Sequence, residues 1–130
     1  MTTKNQIYKC EVCGNIVTVL HAGVGELVCC GQPMTLMNAR TNDEGQEKHV
    51  PIVEKLQDNT IRVKVGSVDH PMENAHYIEW IEVITIDGKS FRTFLSPKDK
   101  PVAWFYVTEH IILVRAYCNI HGLWKFDNSI

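Results

Sequence analysis

The chain reads as mainly β, a small metal-held module followed by an antiparallel sandwich or barrel. Three observations carry this reading. Four cysteines cluster early, as Cys10, Cys13, Cys29 and Cys30. A polar stretch with one glycine, "ARTNDEGQE" from Ala39 to Glu47, then breaks the pattern. After it come six short segments rich in Val, Ile, Tyr, Phe and Trp, each bounded by turn residues. The expected division is a module over residues 1–38, a linker over 39–48, and a β domain over 49–130.

Within the module, "YKCEVCGNIVTVL" reads as strand, knuckle, strand, and "HAGVGELVCCGQPM" adds two glycine turns before a cysteine pair. A unit this short buries too little apolar surface to fold alone, because below roughly 40 residues a metal, disulfide or partner is usually needed. In the second part, "HVPIVEKL", "TIRVKVGSV", "HYIEWIEVITID", "SFRTFL", "VAWFYVT" and "HIILVRAYC" are the expected strands. "TIRVKV" and "YIEWIEVI" alternate, which predicts one buried and one wet face for each. Six or seven strands in this span suit a sandwich or barrel. No segment reads as a helix, and there is no repeat or low-complexity tract.

Composition narrows the function classes. The 130 residues are 45% hydrophobic, as a packed core requires, and carry a net charge of −2. No Lys/Arg-rich run is present, which argues against nucleic acid as a partner. No apolar run approaches the roughly 18 residues of a membrane span, and "MTTKNQIYKCEVCG" has no secretory h-region. A cytoplasmic protein with no membrane partner is expected. In a reducing compartment, clustered cysteines favour metal over disulfides.

Cys10-x-x-Cys13 with the adjacent pair Cys29-Cys30 supplies four thiolates, a set suited to tetrahedral zinc or iron. Spacing alone does not choose between the two metals. Neighbouring side chains tend to diverge, so the adjacent pair predicts a distorted angle at the metal. A redox pair is disfavoured, because "CEVC" does not head a helix in a βαβ pattern.

The fifth cysteine, Cys118, lies far from the others and shares a chelating turn with His121 in "AYCNIHGLW". His49 follows Glu47-Lys48 where the β region begins, and His70 and His76 bracket "PMENA" between two strands. Singly, each histidine is an ordinary residue. Together they fall at strand ends and loops, where binding residues collect. Four imidazoles and one thiolate exceed what a structural zinc takes, and on an octahedral metal they leave one position open. His21 and His110 stand alone and are read as ordinary. Trp80, Trp104 and Trp124 are read as packing residues, Met34, Met37 and Met72 as gap fillers, and Pro51 and Pro71 as fixing the backbone beside His49 and His70.

"YKCEVCGN", "LVCCGQPM", "EKHVP", "VGSVDHPMENAHYIEWIE" and "AYCNIHGLW" together resemble desulfoferrodoxin, the two-iron class of superoxide reductase. The resemblance runs in family order over nearly the whole chain. It implies a desulforedoxin-like iron held by Cys10, Cys13, Cys29 and Cys30. It implies a second iron with His49, His70, His76 and His121 as equatorial ligands and Cys118 as the axial one. It places Glu47 and Lys48 on a loop beside the open position, with Glu47 able to ligate the ferric iron once product has left. The large domain is implied to be an immunoglobulin-like sandwich, and the assembly a homodimer. The implied activity is one-electron reduction of superoxide to hydrogen peroxide, with the iron re-reduced by an external donor such as rubredoxin. One position departs from the family pattern. Relatives often carry Glu two residues before the axial cysteine, as "EYCN", where this chain has Ala116. A rubredoxin-like electron carrier and a zinc-ribbon binding module are the competing readings. The first leaves the His/Cys set idle, and the second lacks a basic face.

Overall fold

The structure is a computed structural model that describes residues 1–41 and 48–126. Glu47 and most of the expected linker lie outside the described residues. The chain divides into two compact units, Met1–Asn38 and Ala39–Ile130. Every strand pairing is antiparallel, and no helix occurs among the described residues.

The first unit has five very short strands: β1 (Ile7–Lys9), β2 (Ile16–Thr18), β3 (Val28–Cys29), β4 (Gln32–Pro33) and β5 (Thr35–Leu36). They form a sheet ordered β2-β1-β5 and a separate β3-β4 hairpin. The hydrophobic interior of this unit amounts to Ile7, Cys10 and Val19. Val12, Leu20, Val24 and Val28 are all more than half exposed. So little buried apolar surface cannot offset the entropy of ordering the chain, and the cysteine cluster is left as the main source of stability.

The second unit contains β6 (Pro51–Lys55), β7 (Thr60–Val65), β8 (Ile78–Thr85), β9 (Ser90–Phe94), β10 (Val102–Tyr106), β11 (Ile111–Cys118) and β12 (Gly122–Phe126). One sheet runs β10-β7-β6 and the other β12-β11-β8-β9. This is a seven-stranded antiparallel sandwich. Its core takes Ile61, Val63 and Val65 from β7, Ile78, Ile81 and Val83 from β8, Ala103 and Phe105 from β10, and Val114, Ala116 and Cys118 from β11. β12 is not expected from sequence, since "GLWK" reads there as the tail of the Cys118–His121 knuckle.

β7 alternates between half-buried and buried positions, as its sequence predicts. β8 does not, because it is covered on both faces along almost its whole length. The reason is charge pairing on the face turned away from the core. Glu82 is 1% exposed and accepts a hydrogen bond from Arg115 Nε at 2.6 Å, while Arg92 pairs with its other oxygen. The Arg92 guanidinium also lies 5.5 Å from the centre of the Trp80 ring, and Trp80 stacks on Tyr117 at 5.8 Å. A buried carboxylate is tolerated only when paired and hydrogen-bonded, and two guanidiniums meet that condition.

Candidate metal centres

Two clusters of ligand-type side chains form, one in each unit. They are Cys10, Cys13, Cys29 and Cys30, and His49, His70, His76, Cys118 and His121. In each cluster the potential ligand atoms lie within 4.8 Å of one another. The structure thus brings together the nine ligand residues expected from sequence and leaves His21 and His110 exposed and outside both groups.

The first cluster is assembled by two tight turns. Cys10 follows β1, its carbonyl accepts the Gly14 amide at 2.9 Å, and its own amide donates to the Asn15 carbonyl at 2.8 Å. This folds Cys13 back so that its amide points at Cys10 Sγ, 3.5 Å away. Cys30 and Gly31 occupy the two central positions of the β3-β4 turn with φ of 52° and 76°. Positive φ at both positions is what the tight hairpin turn of an antiparallel pair demands. The adjacent cysteines consequently do not diverge as they would along a strand. Their sulfurs are 3.9 Å apart, and the Cys13 and Cys29 sulfurs are 3.6 Å apart. Sulfurs bonded at about 2.3 Å around a tetrahedral metal sit roughly 3.8 Å from each other. The distortion expected of a vicinal pair is therefore small, removed by the left-handed backbone at Cys30.

The thiols titrate unequally. The Cys13 amide, donating to Cys10 Sγ, is the main influence holding that thiol down at about 6. Hydrogen bonding with Cys13 pushes Cys30 up to about 12, and the same neighbour raises Cys29. Such crowding cannot accommodate four uncompensated thiolates, and a bound cation is what allows all four protons to leave.

The second cluster sits at one end of the sandwich. His49 precedes β6, His70 and His76 lie in the β7–β8 connection, Cys118 ends β11, and His121 lies in the β11–β12 turn. Antiparallel pairing brings the start of β6 to the end of β7 in one sheet and the end of β11 to the starts of β8 and β12 in the other, and the packing of the two sheets joins these ends into one cluster. A register slip between Tyr117 and Cys118 skips Glu79 on β8, and such irregularities re-aim side chains beside functional sites. His49 Nε2 and His121 Nδ1 are 3.1 Å apart, close to the spacing of adjacent nitrogens bonded at about 2.1 Å to one metal. Cys118 Sγ is 3.8 Å from His121 Nδ1 and accepts the His121 backbone amide at 3.4 Å. His70 Nδ1 lies 2.7 Å from the Pro71 carbonyl. A carbonyl only accepts, so Nδ1 carries the proton and Nε2 presents its lone pair to the cluster. His49, His70 and Cys118 are buried. Five donors of mixed nitrogen and sulfur character suit a transition metal and exceed the four that a closed structural zinc takes.

Three neighbours of this cluster are not singled out as site residues by sequence. Trp124 stacks on His49, with ring centroids 4.6 Å apart and planes 13° from parallel. The Arg40 guanidinium lies 5.2 Å from the Trp124 ring centre, and Arg40 is pinned to β12 by backbone bonds to Leu123 and Lys125. Asn119, inside the knuckle, bonds to the loop that carries His76. The Met72 sulfur accepts the Ile78 amide at 3.4 Å, and the residue packs on the core.

The desulfoferrodoxin family model matches residues 41–127, and the model of its N-terminal domain matches residues 2–37. The chain belongs to the desulfoferrodoxin family. It is 62% identical over 125 residues to a desulfoferrodoxin homolog of Archaeoglobus fulgidus, covering 96% of this chain and 98% of that one. It is 59% identical over 127 residues to the desulfoferrodoxin of Syntrophotalea carbinolica, covering 98% and 99%. Among solved structures it is similar to the superoxide reductase from Treponema pallidum, with a TM-score of 0.78, 26% identity, and coverage of 94% of this chain and 97% of that one. As a desulfoferrodoxin, the chain presents a four-cysteine group and a group of four histidines with one cysteine, consistent with two irons.

Proposed function

We propose that this chain is a superoxide reductase, an oxidoreductase that converts superoxide to hydrogen peroxide at the His49, His70, His76, His121 and Cys118 centre. The observation that carries the reading is the five-donor set itself. Five protein ligands on an octahedral metal leave one position for a small anion, whereas an electron carrier has no need of an open position. The five side chains would hold a ferrous ion, which would supply the one electron that superoxide accepts, with two protons completing peroxide. Cys118 would offer that metal a soft, electron-rich thiolate, which favours the oxidised state. The His121 amide at 3.4 Å from Cys118 Sγ moderates that donation. Lys48, next to His49, draws the anion in. A lysine ammonium within ~5 Å of an anion would contribute about 3 kcal/mol at an effective dielectric of ~20, less where water and salt screen it. The chain's net charge of −2 repels anions overall, so capture depends on this local field. Lys48, or water it orders, also delivers protons to the departing product. Glu47, the residue before Lys48 in the sequence, would be the carboxylate available to hold the oxidised metal once product has gone.

The four-cysteine centre is read as a structural and redox iron, with Cys13 and Cys30 exposed for exchange of electrons with a donor such as rubredoxin. A homodimer is supported by the apolar side chains that the first unit leaves bare, among them Leu20 at 79% and Val24 at 90%. A cytoplasmic setting suits cysteines gathered into ligand clusters. No described helix is long and apolar enough to cross a membrane. The test is direct. Iron per chain is measured, and the reduced protein is mixed with superoxide. Two irons per chain and peroxide without dioxygen as product support the reading. A zinc-only, colourless protein, or dioxygen among the products, sinks it.

A further inference from the structure

We propose that Asn119 is a positioning residue that locks His76 onto the Cys118–His121 knuckle, so that three ligands from two distant stretches of chain move as one unit. This inference rests on the metal-site reading above and concerns how the site is held. His76 lies in the β7–β8 connection and Cys118 ends β11, so nothing in the sequence ties them together. The Asn119 side chain does. Its Oδ1 accepts the Tyr77 amide at 2.9 Å, and its Nδ2 donates to the Ala75 carbonyl at 3.1 Å. Those two groups belong to the residues on either side of His76. The Asn119 amide adds a third bond, donating to the Tyr77 carbonyl at 3.2 Å.

The rest of the loop gives this clamp something rigid to hold. Glu73 and His76 exchange both backbone hydrogen bonds, at 2.9 and 3.1 Å, closing residues 73–76 into a tight turn. The His76 backbone is thus fixed from below by Glu73 and bracketed on both flanks by Asn119. The His76 and His121 rings then meet edge to face with centroids 5.0 Å apart. A side-chain amide suits the task because it has an acceptor and a donor on one planar group, matching a backbone amide and carbonyl two residues apart. Neither Asp, which lacks the donor, nor Leu, which lacks both, replaces it. Asn119 is a residue of the outer shell, and changes in such partners cost metal sites roughly 10–100-fold in affinity.

The experiment uses the full iron-loaded chain and reads release of each iron to a ferrous chelator in one sample. The four-cysteine iron, in the other unit, is the internal control. Asn119→Ala should release the His/Cys iron about 10–100-fold faster and leave the four-cysteine iron unchanged. Asn119→Asp keeps the bond to the Tyr77 amide and should fall between wild type and Asn119→Ala. Amide hydrogen exchange on the same proteins separates positioning from general support. Faster exchange confined to residues 73–77, with β8 and β11 still protected, is expected. Unchanged iron release overturns the proposal. So does loss of protection spread through β8 and β11 alike, which would make Asn119 a residue of general stability. Should Asn119→Ala fail to fold, Asn119→Asp is read by the same two measurements with the same outcomes.

Discussion

Lys48 and Ala116 are the two single positions where charge, or its absence, is expected to matter. Lys48 directly precedes the ligand His49, on a chain whose net charge opposes anion approach. Lys48→Ala should slow superoxide capture by about tenfold while iron content holds, and the wild-type rate should fall more steeply with salt than the variant's. Stopped-flow rates across an ionic-strength series decide it; equal rates with equal salt slopes would remove Lys48 from the mechanism. Ala116 is fully buried among core residues, opposite Ile81 on one side and Trp124 on the other. The Trp124 indole nitrogen, also buried, has no hydrogen-bond partner among the described residues. A glutamate at 116 would enter the apolar core on the strand position paired with Trp124, and Trp124 stacks on His49. Ala116→Glu should therefore lower the thermal midpoint, because a carboxylate is being desolvated, and shift the midpoint potential modestly through the Trp124–His49 stack. Redox titration and thermal unfolding of the two proteins test this; identical values in both would make Ala116 a neutral packing choice.

At the scale of elements, the turns place the ligands and the strands only deliver them. Gly66, just past β7, has φ of +85° and donates to the Val50 carbonyl at 3.2 Å. A Cβ there would fall 2.4 Å from the Lys48 carbonyl oxygen and 2.6 Å from that of Val68. Backbone atoms cannot swing aside as a side-chain tip can, so Gly66→Ala must displace the Lys48–His49 segment or the loop leading to His70. Strain of this kind costs roughly 1–3 kcal/mol. The expected outcome is a lower thermal midpoint together with faster loss of the His/Cys iron, measured against an unchanged four-cysteine iron; a variant with both at wild-type values would show that this close approach is not needed. Much of this level was legible beforehand. The four clustered cysteines were marked by type and spacing, the His/Cys set only with the family resemblance added, and β6 to β11 by alternation and β-branched content. β12 was hidden because its five residues follow a chelating turn and carry no alternation of their own. The wet face expected for β8 is buried instead, because Glu82 reads as solvated until Arg92 and Arg115 are brought to it across the sheet. The Asn119 clamp and the Trp124–His49 stack were equally out of reach, since each joins residues 42 to 75 positions apart through tertiary structure alone.

For the molecule as a whole, the decisive fact is that the two ligand sets belong to different units. The four-cysteine set lies within Met1–Asn38, and the His/Cys set lies wholly within Ala39–Ile130. Their sources of stability differ accordingly. The sandwich has a continuous apolar core and should keep its strands without metal, whereas the first unit buries only Ile7, Cys10 and Val19 as hydrophobic residues. In such a unit, metal binding is largely folding free energy. Cys13→Ser removes one of four thiolates and, with it, the sulfur that lies 3.6 Å from that of Cys29. Iron content should fall from two per chain to one, with the visible bands of the four-cysteine centre lost and those of the His/Cys centre kept. Limited proteolysis should then cut within residues 1–38 while the sandwich survives, and superoxide reduction should persist with ferrous protein supplied. Loss of both irons on this single change would mean that the sandwich site needs the first unit intact, and the two centres would have to be treated as one cooperative system.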